Sequence, residues 1–219
     1  MNPDFQRAAI VAAETLINSN VTTTPVSPFP ILKKINNVRL IPFAEVAETV
    51  KKDRETVIDA FGIEAGAAVT TMIQDNGKTF YFVAYNQFTQ EVLLQRALAR
   101  ELGHIALGHD GSRPVDVRMA EAYCFAHHLL TPRAVIKMLL ESPHPLTMNT
   151  LCNVTGCNKD CVERLQKIPG VKVPAELNRK IRELFAPRLN EYFRYQSIIQ
   201  KTDTSDIIDF GTFMDGYIE

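Results

Sequence analysis

Apolar positions recur every three to four residues over most of the chain and every second residue in one central part. Phe5, Ala8, Ala9, Ala12 and Leu16 mark one face of an N-terminal helix, with Asn2 and Pro3 placed as a cap and a first-turn proline. Pro25, Pro28 and Pro30 break the pattern, and a short Ile31–Ile35 segment follows. Val38 to Phe43 reads as a strand, and residues 43–50 and 53–61 as short helices, the second ended by Gly62. Ala67–Gln74 and Thr79–Tyr85 are rich in β-branched and aromatic residues and flank Asp75-Asn76-Gly77-Lys78. Asn-Gly between two such runs predicts a hairpin, because both residues tolerate positive φ. From Thr89 to Leu107 the period turns helical, with Leu94, Leu98, Leu102 and Ile105 on one stripe. Asp110 to Pro114 interrupts it, after which Val115–Leu130 and Ala134–Leu140 read as two more helices. Ser142-Pro143-His144-Pro145 marks a boundary. Beyond it, Leu146–Ile168 reads as short helices around Gly156, and Ala175 to about Gln196 as a longer one.

Composition narrows the picture. The chain has 219 residues, 24 Lys+Arg against 25 Asp+Glu, and 46% hydrophobic residues. That is enough apolar content for one sizeable core, and it excludes disorder. A net charge of -1 argues against a broad basic face for nucleic acid. No span approaches the roughly 18 apolar residues of a membrane helix. The apolar run Ala8–Ala13 lies between Asp4 and Glu14 and reads as a surface helix, not a secretory signal. Four cysteines without such a signal fit a reducing cytoplasm.

The chemistry concentrates in Ala99-Arg100-Glu101-Leu102-Gly103-His104 on the first long helix and Glu121-Ala122-Tyr123-Cys124-Phe125-Ala126-His127-His128-Leu129-Leu130-Thr131-Pro132 on the second. With His at position 100 the first segment would be H-E-x-x-H, in which two imidazoles four residues apart face one zinc and the Glu activates its water. Together the two segments, the hairpin before them and its Tyr85-Asn86 end resemble the ImmA/IrrE family of metallopeptidases over residues up to about Leu140. The resemblance implies a minimal zincin: an α+β fold in which a small antiparallel or mixed sheet with a hairpin packs on the active-site helices. It also implies zinc as cofactor, His104 and Glu121 as metal ligands, Glu101 as general base, and a helix-turn-helix repressor as substrate. On this reading residues 1–142 form the zincin-like domain, 143–198 a helical C-terminal region of helix-turn-helix appearance, and 199–219 an acidic tail holding Asp203, Asp206, Asp209, Asp215 and Glu219.

Position 100 departs from the family pattern. A guanidinium has no lone pair to give and stays protonated, so Arg100 cannot ligate zinc. Two remaining ligands would hold a divalent ion weakly, and zinc is expected to be absent or weakly bound. Without a metal, Glu101 and Glu121 would share a cleft with no cation between them. A charge about 4 Å from a carboxylate is worth about 4 kcal/mol at an effective dielectric near 20. Arg100 is therefore expected at the metal position as counter-ion, bridging Glu101 and Glu121.

His109, after Gly108, is a candidate substitute ligand if the chain folds back there, although position 109 lies off the His104 face if the helix continues. His127 and His128 are adjacent and cannot share a face, so at least one is expected at the surface. Cys152, Cys157 and Cys161 lack paired C-x-x-C spacing and read as buried thiols, with a second zinc site completed by Cys124 as the alternative. Three functions stand: a degenerate family relative that binds a regulatory protein partner without cleaving it, a working zinc peptidase using His104, Glu121 and His109, and a nucleic-acid-binding regulator. The first is the leading expectation. An extended peptide along the hairpin edge would suit either of the first two.

Overall fold

A computed structural model describes residues 2–61, 67–143, 146–157 and 171–199, with side chains to 195. The chain is α+β, and the described elements run α1 Phe5–Asn18, α2 Pro28–Lys33, β1 Val38–Pro42, α3 Phe43–Val50 and α4 Arg54–Phe61. Then come β2 Ala68–Asp75, β3 Lys78–Tyr85, α5 Glu91–Ala106, α6 Val115–Leu130, α7 Arg133–Leu140, α8 Met148–Thr155 and α9 Ala175–Ile199. None of the described helices is long and apolar enough to cross a membrane.

The chain divides into two compact units, Met1–Pro3 with Ser27–Ala126 and Asp4–Val26 with His127–Glu219. The division falls inside α6, and α1 belongs with the C-terminal helices.

In the first unit a three-stranded sheet has the order β1-β3-β2. β2 and β3 form the expected hairpin, with Ala68 opposite Tyr85 and Asp75 opposite Lys78. Asn76 (φ 49) and Gly77 (φ 74) supply the two left-handed residues that such a two-residue turn demands. β1 adds parallel to β3, which makes the sheet mixed and leaves β2 at an edge. Phe43, Ala47, Val57 and Ala84 form a small core between α3, α4 and the sheet, with Phe43 stacked on Phe61 at 5.3 Å between ring centroids.

Helix α5 is buried without a break from Ala97 to Gly103. An amphipathic helix would show a polar stripe there, so this stretch of nearly two turns is covered on every side. One cover is α6. A Cβ added at Gly103 would lie 2.9 Å from Phe125 Cδ1 and 3.2 Å from the Ala122 carbonyl. Glycine at 103 is thus what lets α6 approach α5 closely enough to bring Glu121 to the site.

In the second unit α1 turns an almost purely alanine face, Ala8, Ala9, Ala12 and Ala13 with Leu16, against α9. Its cap is Asp4, whose side chain accepts the Arg7 N–H at 2.9 Å, so the helix begins two residues later than the Asn2-Pro3 pattern predicts. α9 answers with Ile181, Phe185 and Leu189, one residue per turn, each worth about 1.5–3 kcal/mol when buried. Helix α8 ends at Gly156 (φ +68), as expected, and a Cβ there would also strike Pro25 at 2.8 Å. The rest of the expected short-helix region (158–170), Gly62, Cys161 and the acidic tail lie outside the described residues.

Candidate functional site

The site lies where α5, the α5–α6 turn and α6 meet the edge strand. α5 stops at Ala106, with Leu107 as its cap, because Gly108 turns left-handed at φ +64. The His109 N–H then bonds the His104 carbonyl at 3.0 Å and the Gly108 N–H the Ile105 carbonyl at 3.1 Å, a Schellman reversal. This turn brings His109 back over the helix end. Its Nδ1 lies 2.8 Å from His104 Nδ1, and its Nε2 lies 3.0 Å from Glu121 Oε2. The same Oε2 accepts from Arg113 Nη1 at 2.7 Å. A row of four side chains, His104–His109–Glu121–Arg113, therefore links the two helices, with Glu121 only 1% exposed.

Arg100 and Glu101 form a separate pair. Arg100 Nε and Nη2 donate to Glu101 Oε1 at 3.1 and 2.9 Å, Nη2 also reaches the Ala68 carbonyl at 3.2 Å, and Nη1 the Tyr123 hydroxyl at 3.4 Å. Both residues are buried, at 9% and 4% exposure. The expected bridge from Arg100 to Glu121 is not formed. Arg100 lies along β2 and meets Glu101 alone, while Arg113 and His109 engage Glu121. Arg100 is thus the counter-ion of Glu101 and Arg113 that of Glu121, with His109 a neutral hydrogen-bond partner; Arg113 was not anticipated, and His109 only as a substitute ligand.

The register explains why Arg100 points where it does. The Ala67 carbonyl accepts the Asn86 N–H at 2.8 Å, so residues 67, 69, 71 and 73 turn their backbone groups inward to β3. Residues 68, 70, 72 and 74 turn theirs outward. Arg100 caps the outward carbonyl of Ala68. Thr70, next along the edge, lies beside Glu101, and its N–H and hydroxyl help hold that charge. The hydroxyl nonetheless makes no bond of hydrogen-bond geometry.

Burial is the largest influence on Glu101 and pushes its carboxyl up, with Arg100 pulling the other way. For Arg100 the burial penalty is outweighed by Glu101, and the guanidinium is held above its ordinary range. His104 is pushed down to about 4 by burial, then by the neighbouring His109, Arg100 and Arg118. Burial also lowers His109, against the pull of Glu121. Both imidazoles are neutral at neutral pH.

These donors do not fit a three-ligand zinc as they stand. Zinc bonds of about 2.0–2.1 Å set tetrahedral nitrogens roughly 3.3 Å apart around a shared ion. The 2.8 Å between the His104 and His109 rings is instead a hydrogen bond, and the second nitrogen of His109 is engaged by Glu121. Among the described residues no group of three His, Cys, Asp or Glu side chains is arranged to hold a metal.

A cleft of about 870 Å³ opens over this arrangement, lined by Thr70, Met72, Arg100, Glu101, His104 and Arg118 among others. Its size suits a peptide segment or small organic ligand. The remaining candidates lie elsewhere. His128 is fully buried and pushed down to about 3 by burial, whereas His127 is half-buried and keeps part of its side chain at the surface. Cys124 and Cys157 are buried and Cys152 half-buried. Charge arithmetic could have found Arg113: two buried carboxylates without a metal call for two cations, and Arg113 is the next arginine along the chain. No protein-family model, curated protein or solved structure matches this chain.

Proposed function

We propose that this protein is a metal-poor relative of the ImmA/IrrE peptidases that acts in the cytoplasm by binding a regulatory protein partner, such as a helix-turn-helix repressor. The observation that carries the reading is the buried Arg100–Glu101 pair. The residue that would activate a zinc-bound water is neutralised by the residue that replaced a zinc ligand. Elemental analysis of the purified native protein beside Arg100→His tests it. Substoichiometric zinc in the native chain, together with uncleaved retention of a helix-turn-helix protein encoded nearby, supports the reading. One tightly held zinc per chain with cleavage of that protein overturns it.

A second reading rests on the placement of His109 beside His104 and Glu121. In it those three side chains rearrange to hold zinc and Glu101 serves as general base, giving a working peptidase. Zinc-dependent cleavage abolished by His109→Ala would favour it. Direct nucleic-acid binding and membrane attachment form no part of either reading.

A further inference from the structure

Arg100 and Glu101 satisfy one another, but besides the Thr70 hydroxyl two larger polar groups on the cleft wall do not have their bonding complete. The first is His104. Glu121 Oε2 is a carboxylate oxygen already receiving Arg113, so toward His109 Nε2 it can only accept, and that nitrogen carries the proton. A neutral imidazole has one N–H, which leaves His109 Nδ1 as a lone pair. His104 Nδ1, 2.8 Å away, must then be the donor. His104 Nε2 is left as an acceptor, with no partner among the described residues. The second group is Arg118, half-buried on the same cleft wall. Its Nε is tied to the Arg113 carbonyl at 3.0 Å, and its two Nη groups have no acceptor among the described residues.

We propose that the cleft takes a neutral amide, its N–H on His104 Nε2 and its carbonyl on Arg118, and that His109 is the positioning residue that fixes this preference by locking the His104 tautomer. A carboxylate would satisfy Arg118 but set its lone pairs against that of Nε2. An ammonium would satisfy Nε2 but face a guanidinium. Of these three groups only an amide offers an acceptor and a donor together. The amide could come from a peptide backbone or from an Asn or Gln side chain, and the chemistry is the same. The inference rests on the cleft being a partner-binding site, as in the function proposed above.

The test uses the full chain, ¹⁵N-labelled, with long-range proton–nitrogen spectra of the histidine rings. N-methylacetamide stands for backbone, propionamide for side chains, and acetate and methylammonium are the charged controls. His104 is expected as the Nδ1–H tautomer in the native protein. At least one amide should shift its ring resonances and bind about fivefold more tightly than either ion, the worth of one net hydrogen bond of about 1 kcal/mol; which amide does so identifies the source. His109→Phe, similar in bulk but without the acceptor, should release the tautomer and abolish the preference. Arg118→Met, which leaves the His104–His109 contact in place, should abolish the preference without changing the tautomer. A native His104 in the Nε2–H form, or acetate binding as tightly as both amides, overturns the inference. Zinc analysis of the same sample keeps its failure distinct: a metal-free chain that captures a protein partner yet shows no amide preference loses this inference alone.

Discussion

Replacing Arg100 by Met removes the charge and keeps an unbranched chain to fill the space. What it leaves is the Glu101 carboxylate, 4% exposed, having lost both guanidinium bonds. The side chains of the pair are only 11% and 6% exposed, so water screens it little. Removing one partner of a buried pair costs about 3–5 kcal/mol, against a total stability of roughly 5–15 kcal/mol. Urea unfolding followed by circular dichroism should register a loss of that size at about pH 7. The sign of its pH dependence follows from Glu101. Burial already holds that carboxyl above its unfolded value, and without Arg100 it rises further. A raised carboxyl contributes stability when protonated and loses it as pH rises, so the deficit of the variant should shrink toward about pH 5. Arg100→Met with Glu101→Leu should return to within about 1 kcal/mol of the native protein, because an apolar pair leaves no charge unpaired. A single-variant loss below about 1 kcal/mol, unchanged by pH, is the behaviour of an exposed pair and would refute the reasoning.

Three more outcomes follow from the same geometry. Gly103→Ala should destabilise by about 1–3 kcal/mol in thermal or urea unfolding, since its Cβ would strike Phe125, and Phe125→Leu should recover part of the loss. Gly108→Ala, at φ +64 with open space around it, should cost about 1 kcal/mol through backbone strain alone and weaken the His104–His109 contact, read as a change in the His109 ring resonances. Acid should destabilise the native chain: His104 and His128 sit at about 4 and about 3, both lowered by burial from an unfolded value near 6.5. Their contribution is complete above that unfolded value and is lost as pH falls through the folded ones, about 3 kcal/mol for His104, so His128→Phe should flatten the acid limb of a stability-against-pH curve.

The elements themselves were legible because their signals are local. Asn76-Gly77 fixes a hairpin wherever it stands, and the leucine stripe of α5 and the start and stop of α6 come from period and proline alone. The parallel pairing of β1 was not legible, since nothing within Val38–Pro42 names its neighbour. At the site, the motif placed Arg100, Glu101, His104 and Glu121 in one neighbourhood but not the bonds among them. Helical geometry put His109 off the His104 face, and one left-handed glycine reversed that. Gly108 was visible in the sequence, but whether a glycine ends a helix or merely sits in it depends on the bonds after it. Arg113 was hidden for a related reason: it lies in a stretch that reads only as a break, and its function depends on a carboxylate about two turns into the next helix.

The contact between Arg100 and the Ala68 carbonyl has a consequence for how the protein behaves at high concentration. Strand β2 ends its sheet, and an open end is a template on which another copy could stack to begin a fibril. The guanidinium blocks that template at Ala68, leaving the outward groups of Met72 and Gln74 beside the exposed Ile73. Losing Arg100 would therefore do more than strand a carboxylate, because it would lengthen the stretch available for self-templating and make insolubility the first visible sign of the change.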